Sequence, residues 1–167
     1  HSWYGPSLGR SIGSIGVVGM NGKERIVSAL NLQPVDRTPV WFMRQAGRHL
    51  PEYRKIAAEH SFWERCMDID LCTKITMQPI ERYQKIDAAI IFSDILVPLE
   101  AMGLNLDFIA GKGPVISDPV RTTDDLKRLR QYDANVETSF LPAAIRAVRS
   151  AVEDKYPVLG FAGAPYT

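Results

Sequence analysis

Asp87-Ala88-Ala89-Ile90-Ile91-Phe92, followed at once by Ser93-Asp94, is the stretch that decides the fold. Five apolar residues in a row, with no polar alternation, read as a strand covered on both faces. Strands of that kind belong to parallel sheets, which carry helices on both sides. Two further runs have the same character. Pro39 to Met43 stops abruptly at Arg44-Gln45-Ala46-Gly47-Arg48, and Pro157 to Ala162 runs into Gly163-Ala164-Pro165-Tyr166-Thr167.

Helical patterns fill the intervals. Asn21 to Leu30 and Pro51 to His60 read as short helices, and Ser61 with Glu64 fits a capping box opening another turn. Asp70 to Gln84 places Ile75, Ile80 and Tyr83 on one side, with a kink expected at Pro79. Leu99 to Met102 reads as a helix ended by Gly103, and Leu104 to Ser117 as an excursion or small hairpin. Thr123 is placed to cap a helix over Asp124 to Arg130, with acids first and bases last. Leu141, Ile145, Val148 and Val152 form the apolar stripe of an amphipathic helix. Strand and helix in alternation predict an α/β fold of parallel βα units. An open doubly wound sheet and a (β/α)₈ barrel both begin this way, and a barrel needs about 250 residues.

The bulk composition excludes several classes. With 46% hydrophobic and 23% charged residues the chain is globular rather than disordered. A net charge of +1 gives no global field for nucleic acid or membrane, so any affinity for anions must come from local arginines. Cys66 and Cys72 match no disulfide framework or metal pattern and are expected to pack as small hydrophobes. No nucleotide fingerprint, metalloprotease motif or nucleophile elbow occurs, and the Gly111-Lys112-Gly113 tripeptide is too short for a phosphate loop. Residues 1–19 are rich in Gly and Ser without a clear period. They are expected to be a disordered leader, tag or translated upstream segment ahead of Met20, or else a transit peptide. Residues 20–167 are expected to be one folded unit.

In parallel α/β folds, ligands bind beyond the carboxyl ends of the strands. The segments leaving those ends are Arg44–Arg48, Ser93-Asp94 and Gly163–Thr167. Arg44 and Arg48 flank two small residues, so both guanidiniums can face one cavity and each can grip a carboxylate or phosphate with paired hydrogen bonds. The competing reading pairs them with nearby acids. Gly47 allows backbone to approach a ligand, and Gln45 is either a ligand contact or a brace for the loop. Asp94 follows an apolar strand directly. It is a buried anion able to stabilise a developing cation, a helix cap, or the partner of an arginine. Phe92 lines the cavity or belongs to the core, and His49 and His60 read as a loop-surface residue and a helix cap.

Pro39-Val40-Trp41-Phe42-Met43-Arg44-Gln45-Ala46-Gly47-Arg48 with the following His49-Leu50-Pro51-Glu52-Tyr53-Arg54 closely resembles the amino-terminal signature of the uroporphyrinogen decarboxylase family. Ile91–Leu96 and Gly160–Thr167 resemble its second and third blocks, and Asn21–Leu30 with Asp36-Arg37-Thr38-Pro39 fits its opening. His49 departs mildly from the tyrosine common at its position. The resemblance implies a (β/α)₈ barrel, here truncated to roughly its first three βα units, usually in a homodimer. It implies decarboxylation of the four acetate side chains of uroporphyrinogen III to give coproporphyrinogen III, in haem and chlorophyll synthesis. No metal or organic cofactor, nucleic acid or membrane is implied, and the expected compartment is the cytoplasm, or a plastid if the leader is a transit peptide. Arg44, Gln45, Ala46, Gly47 and Arg48 are implied as the substrate-binding loop and Asp94 as the transition-state stabiliser. The chain alone is expected to be inactive and prone to aggregate, because later pocket residues of the family lie beyond Thr167. Two alternatives are a methyltransferase on the same barrel, acting on a corrinoid or a coenzyme thiol, and a non-catalytic tetrapyrrole-binding module.

Overall fold

The structure, a computed structural model, describes residues 19–109 and 111–164. The expectations for residues 1–18 and 165–167 lie outside the described residues. The chain folds as α1 (Gly22–Leu30), α2 (Pro51–Glu59), α3 (Phe62–Met67), α4 (Ile69–Arg82), β1 (Ala89–Ile90), α5 (Val97–Ala101), β2 (Leu106–Ile109), β3 (Gly113–Ile116), α6 (Ala134–Glu137), α7 (Phe140–Ala151) and β4 (Val158–Leu159).

β1 and β4 pair in parallel, Ala89 opposite Val158 and Ile90 opposite Leu159, as the apolar runs predict. The ladder is flanked by Ala89 N–H donating to Pro157 O and Ile91 N–H donating to Leu159 O, each at 3.0 Å. The excursion after α5 is a true hairpin, with β2 antiparallel to β3 from Leu106 opposite Ile116 to Ile109 opposite Gly113. The predicted stripe on α7 is real. Ala144, Val148 and Val152 join Cys72, Ala89 and Ile91 in one buried cluster, with Leu141 and Ile145 against it. A second cluster joins Leu50, Tyr53, Ile56 and Ile75, and Phe92 touches both. Cys66 and Cys72 are free and buried, packed as expected. Burial pushes their thiols up to about 12 and about 11 respectively.

Three expectations need correction. Pro39–Met43 is not a buried strand: Trp41 is 39% and Phe42 61% exposed. The reason is local. Asp87 N–H donates to Val40 O at 2.7 Å, but Val40 N–H goes to the Asp87 carboxylate at 2.8 Å instead of a backbone carbonyl. A ladder cannot propagate from that pairing, and Gln45 N–H closes a turn on Phe42 O at 3.2 Å. The helix predicted over Asp124–Arg130 shrinks to a 3-10 turn, Asp125–Arg128. There Asp125, not Thr123, collects the free donors, accepting from the N–H groups of Arg121 and Thr122 at 2.9 Å. Lastly, α4 continues through Pro79 to Arg82, and Tyr83 sits past its end, 38% exposed, rather than on its apolar side. Asp68 opens α4 by accepting from Leu71 N–H at 2.8 Å, a cap the sequence reading passed over.

A buried ionic cluster ties the 20–40 segment to the start of β1. Asp87, its side chain 1% exposed, receives Arg25 Nη1 at 2.5 Å. It also receives both terminal nitrogens of Arg37 at 2.7 Å. Arg25 forks onto Asp36 at 2.6 and 2.7 Å. α1 packs so close that a Cβ on Gly22 would lie 2.5 Å from Asp87 O.

Replacing Asp87 with Ala takes one of two carboxylates from buried Arg25 and the acid partner from Arg37 and Val40 N–H, and is expected to cost about 3–5 kcal/mol, read as a fall in the urea midpoint. The Arg25 guanidinium holds the Asp36 carboxyl down from 3.8 to about 2. A depressed carboxylate contributes stability that is complete above its ordinary value and is lost as pH falls through its folded one. Asp36→Asn is therefore expected to flatten the loss of stability between about pH 4 and 2, measured by denaturant titration across that range.

Candidate functional site

Two segments meet at the carboxyl end of β1. The first leaves the extended 37–43 run. Gln45 is buried, 3% exposed, and both ends of its amide are spent: Nε2 donates to Ala88 O at 2.9 Å and Oε1 accepts from Phe42 N–H at 3.2 Å. It pins the turn to the strand's entry, the brace of the two readings above, and is not among the residues lining the hollow described below. Gly47 takes φ 153°, a backbone region that favours glycine. Leu50 N–H then donates to Gly47 O at 2.9 Å, and fully buried Leu50 anchors the start of α2. Arg54, one turn into α2, reaches back to the carbonyls of Arg48 and His49 at 2.9 and 3.3 Å.

The second segment leaves β1 itself. Beyond the paired residues α4 supplies the missing partners. Phe92 N–H donates to Thr76 Oγ1 at 3.0 Å, and the Cys72 thiol donates to Phe92 O at 3.2 Å. That fixes where Ser93 and Asp94 emerge. Asp94 Oδ1 accepts from Leu96 N–H at 2.8 Å, so it does steer the chain toward α5. Its second oxygen has no hydrogen-bond partner among the described residues.

The two segments enclose one hollow of about 570 Å³, lined by Arg44, Ala46, Gly47, Arg48, His49, Tyr53, Phe92 and Asp94, with Met43, Ile90, Ile91, Ser93, Ile95 and Phe161. Arg44 and Arg48 are exposed to it, and neither is ion-paired among the described residues. The pairing with rim acids considered above is thus not seen there. Asp94 also lines an adjoining hollow of about 510 Å³ that reaches the 160–164 segment after β4. Asp94 is thus common to a hollow walled by residues 44–48 and one walled by residues 160–164; Ala46, Gly47 and Phe92 contribute walls, Phe92 belonging to both wall and core. His49 lies at the rim beside Tyr83, their rings 6.5 Å apart and nearly parallel. What the sequence reading missed is Arg54 and Tyr53. Both sit within the quoted signature, and a helix starting at Pro51 puts residues 53 and 54 one turn from the loop, a signal that was available.

Two guanidiniums without ion pairs among the described residues and a carboxylate line one hollow, an arrangement chemically able to take a ligand that carries carboxylates and also offers N–H donors. The family model described as uroporphyrinogen decarboxylase matches residues 21–167, and the chain belongs to that family. It is 50% identical over 144 residues to the uroporphyrinogen decarboxylase of Myxococcus xanthus, covering 86% of this chain and 41% of that protein. It is 46% identical over 149 residues to that of Magnetococcus marinus, covering 89% and 42%. The chain thus spans about two fifths of the length of these relatives. Among solved structures it resembles a methyltransferase from Methanosarcina mazei with a TM-score of 0.63 at 21% identity, over 89% of this chain and 44% of that one. At that identity the likeness is one of fold.

Replacing Gln45 with Ala leaves Ala88 O and Phe42 N–H without their partner in a buried setting, a loss of about 1–3 kcal/mol. The expected reading is faster amide exchange at Phe42 and Gln45, with the amides of α7 unchanged.

Proposed function

We propose that this segment, within a protein of its relatives' full length, decarboxylates the four acetate side chains of uroporphyrinogen III to give coproporphyrinogen III. The observation that carries the reading is that Arg44, Arg48 and Asp94 line one hollow. An octacarboxylate needs fixed cations, and the unpaired forks of Arg44 and Arg48 suit two of its carboxylates. The pyrrole N–H groups converge at the centre of the macrocycle, where the Asp94 carboxylate accepts them. When a ring carbon takes a proton the pyrrole becomes a cation. The bond to the acetate carboxylate then breaks, its electrons neutralise the ring, and CO₂ leaves. A proton added to the resulting exocyclic carbon, with loss of the ring proton, completes the methyl. Asp94 favours the cationic stage over the neutral substrate, which is what accelerates a reaction. The pyrrole is its own electron sink, so the mechanism calls on no cofactor.

The same reading supplies the rest of the architecture. Residues 20–167 are the amino-terminal part of a single barrel domain, and later strands close it. The exposed Trp41 and Phe42, in the run before the arginine loop, are apolar surface that such strands cover. Homodimerisation and a cytoplasmic setting follow from the family. Among the described residues no helix is long and apolar enough to cross a membrane.

In the full-length protein, Asp94→Asn is expected to lower kcat about 10²–10³-fold while the affinity for uroporphyrinogen changes only a few-fold. Arg44→Met and Arg48→Met are each expected to raise KM. Turnover by Asp94→Asn at the unaltered rate would remove the catalytic part assigned to that carboxylate. The 167-residue chain alone should release no CO₂.

A further inference from the structure

Arg65 is a cation nearly out of contact with water, 9% exposed, and no carboxylate pairs with it among the described residues. Its neighbour Glu64 is already engaged, accepting from Ser61 N–H at 2.6 Å in the capping box of α3. What holds the guanidinium is neutral: Nε donates to Ser61 O at 3.0 Å, and Nη1 donates to the Tyr53 hydroxyl oxygen at 2.5 Å. The Tyr53 and Phe62 rings lie 5.2 and 5.7 Å from its central carbon. Burying a charge without a counter-ion is costly, and ring faces offset only part of that. The arrangement is therefore one that an incoming anion would complete.

The place where an anion can arrive is the hollow, because Tyr53 forms part of its wall with Arg44, Arg48 and Asp94. A phenol oxygen that accepts from a guanidinium has its own proton left over to donate. We propose that Tyr53, held by Arg65, is a further substrate-binding donor that meets a carboxylate of the tetrapyrrole, with Arg65 as the positioning residue behind it. This rests on the function proposed above. It adds to the arginine loop a contact of a different kind, a fixed hydroxyl backed by a buried positive charge.

The test uses the full-length protein, with binding of uroporphyrin, the oxidised and unreactive octacarboxylate, followed by its fluorescence, and with steady-state turnover of uroporphyrinogen. Tyr53→Phe keeps the ring and its edge contact with Phe92 and removes only the hydroxyl. It is expected to weaken uroporphyrin binding and raise KM about tenfold, the value of one hydrogen bond to a charged group, with a much smaller change in kcat. Arg65→Lys keeps the charge but not the fork and is expected to fall between Tyr53→Phe and the unaltered protein. Arg65→Met should match Tyr53→Phe in KM if it folds, and Arg65→Lys decides the matter if it does not. Unchanged binding and KM in both Tyr53→Phe and Arg65→Lys would overturn the inference. Asp94→Asn run alongside separates the two ideas: loss of turnover there with no effect at Tyr53 and Arg65 sinks this inference alone, whereas full turnover by Asp94→Asn sinks the functional reading beneath it.

Discussion

Asp87 is a carboxylate almost out of reach of water, gripped by two guanidiniums and a backbone N–H at the entrance to β1. Isolated, such a charge would cost several kcal/mol to bury. Shared by Arg25, Arg37 and Val40, it becomes the point where three separate stretches of chain are held in register. α1 leans on its carbonyl through Gly22. The extended run carrying Val40 is aligned beside it, and five residues beyond Val40, Gln45 fastens to the carbonyl of Ala88. The position of the arginine loop relative to the strand thus depends on a salt-bridge cluster that takes no part in the hollow itself.

The charges at the hollow contrast with those of that cluster. Arg25, Arg37, Arg82, Arg128 and Arg130 all meet acids. Arg44 and Arg48 meet none among the described residues, and they stand where a strand ends and ligands are expected. Asp94 is likewise half committed: one oxygen turns the chain, and the other has no hydrogen-bond partner among the described residues. The charges of the Asp87 cluster thus have their partners in the chain, whereas Arg44, Arg48 and one oxygen of Asp94 at the hollow have none among the described residues.

Much of this was legible in the sequence, for identifiable reasons. Ala88–Phe92 and the α7 stripe follow directly from hydrophobic periodicity, which reports burial. The hairpin at 104–117 follows from its glycines, and the capping box at Ser61 from a spacing rule. The failures occur where a side chain replaces a backbone partner. Pro39–Met43 has a strand's composition, but the Asp87 carboxylate takes the Val40 N–H and stops the ladder. Asp125 captures the donors that Thr123 was expected to serve. Nothing in periodicity announces a carboxylate that arrives from 47 residues away. Within the site, Asp94 follows a strand end legible in the sequence, whereas Arg44 and Arg48 were reached through a strand over Pro39–Met43 that does not form and come to the same hollow because the turn at Gln45 is pinned to β1; the clamp at Arg54 needed the folded loop to be seen.

The most direct measurement is a crystal structure of the full-length protein with the tetracarboxylate product bound. The account predicts the macrocycle seated in the hollow, its pyrrole N–H groups within hydrogen-bond distance of the Asp94 carboxylate and its side-chain carboxylates forked by Arg44 and Arg48. A macrocycle bound with Asp94 facing a carboxylate, or with both arginines turned away to solvent, would contradict it.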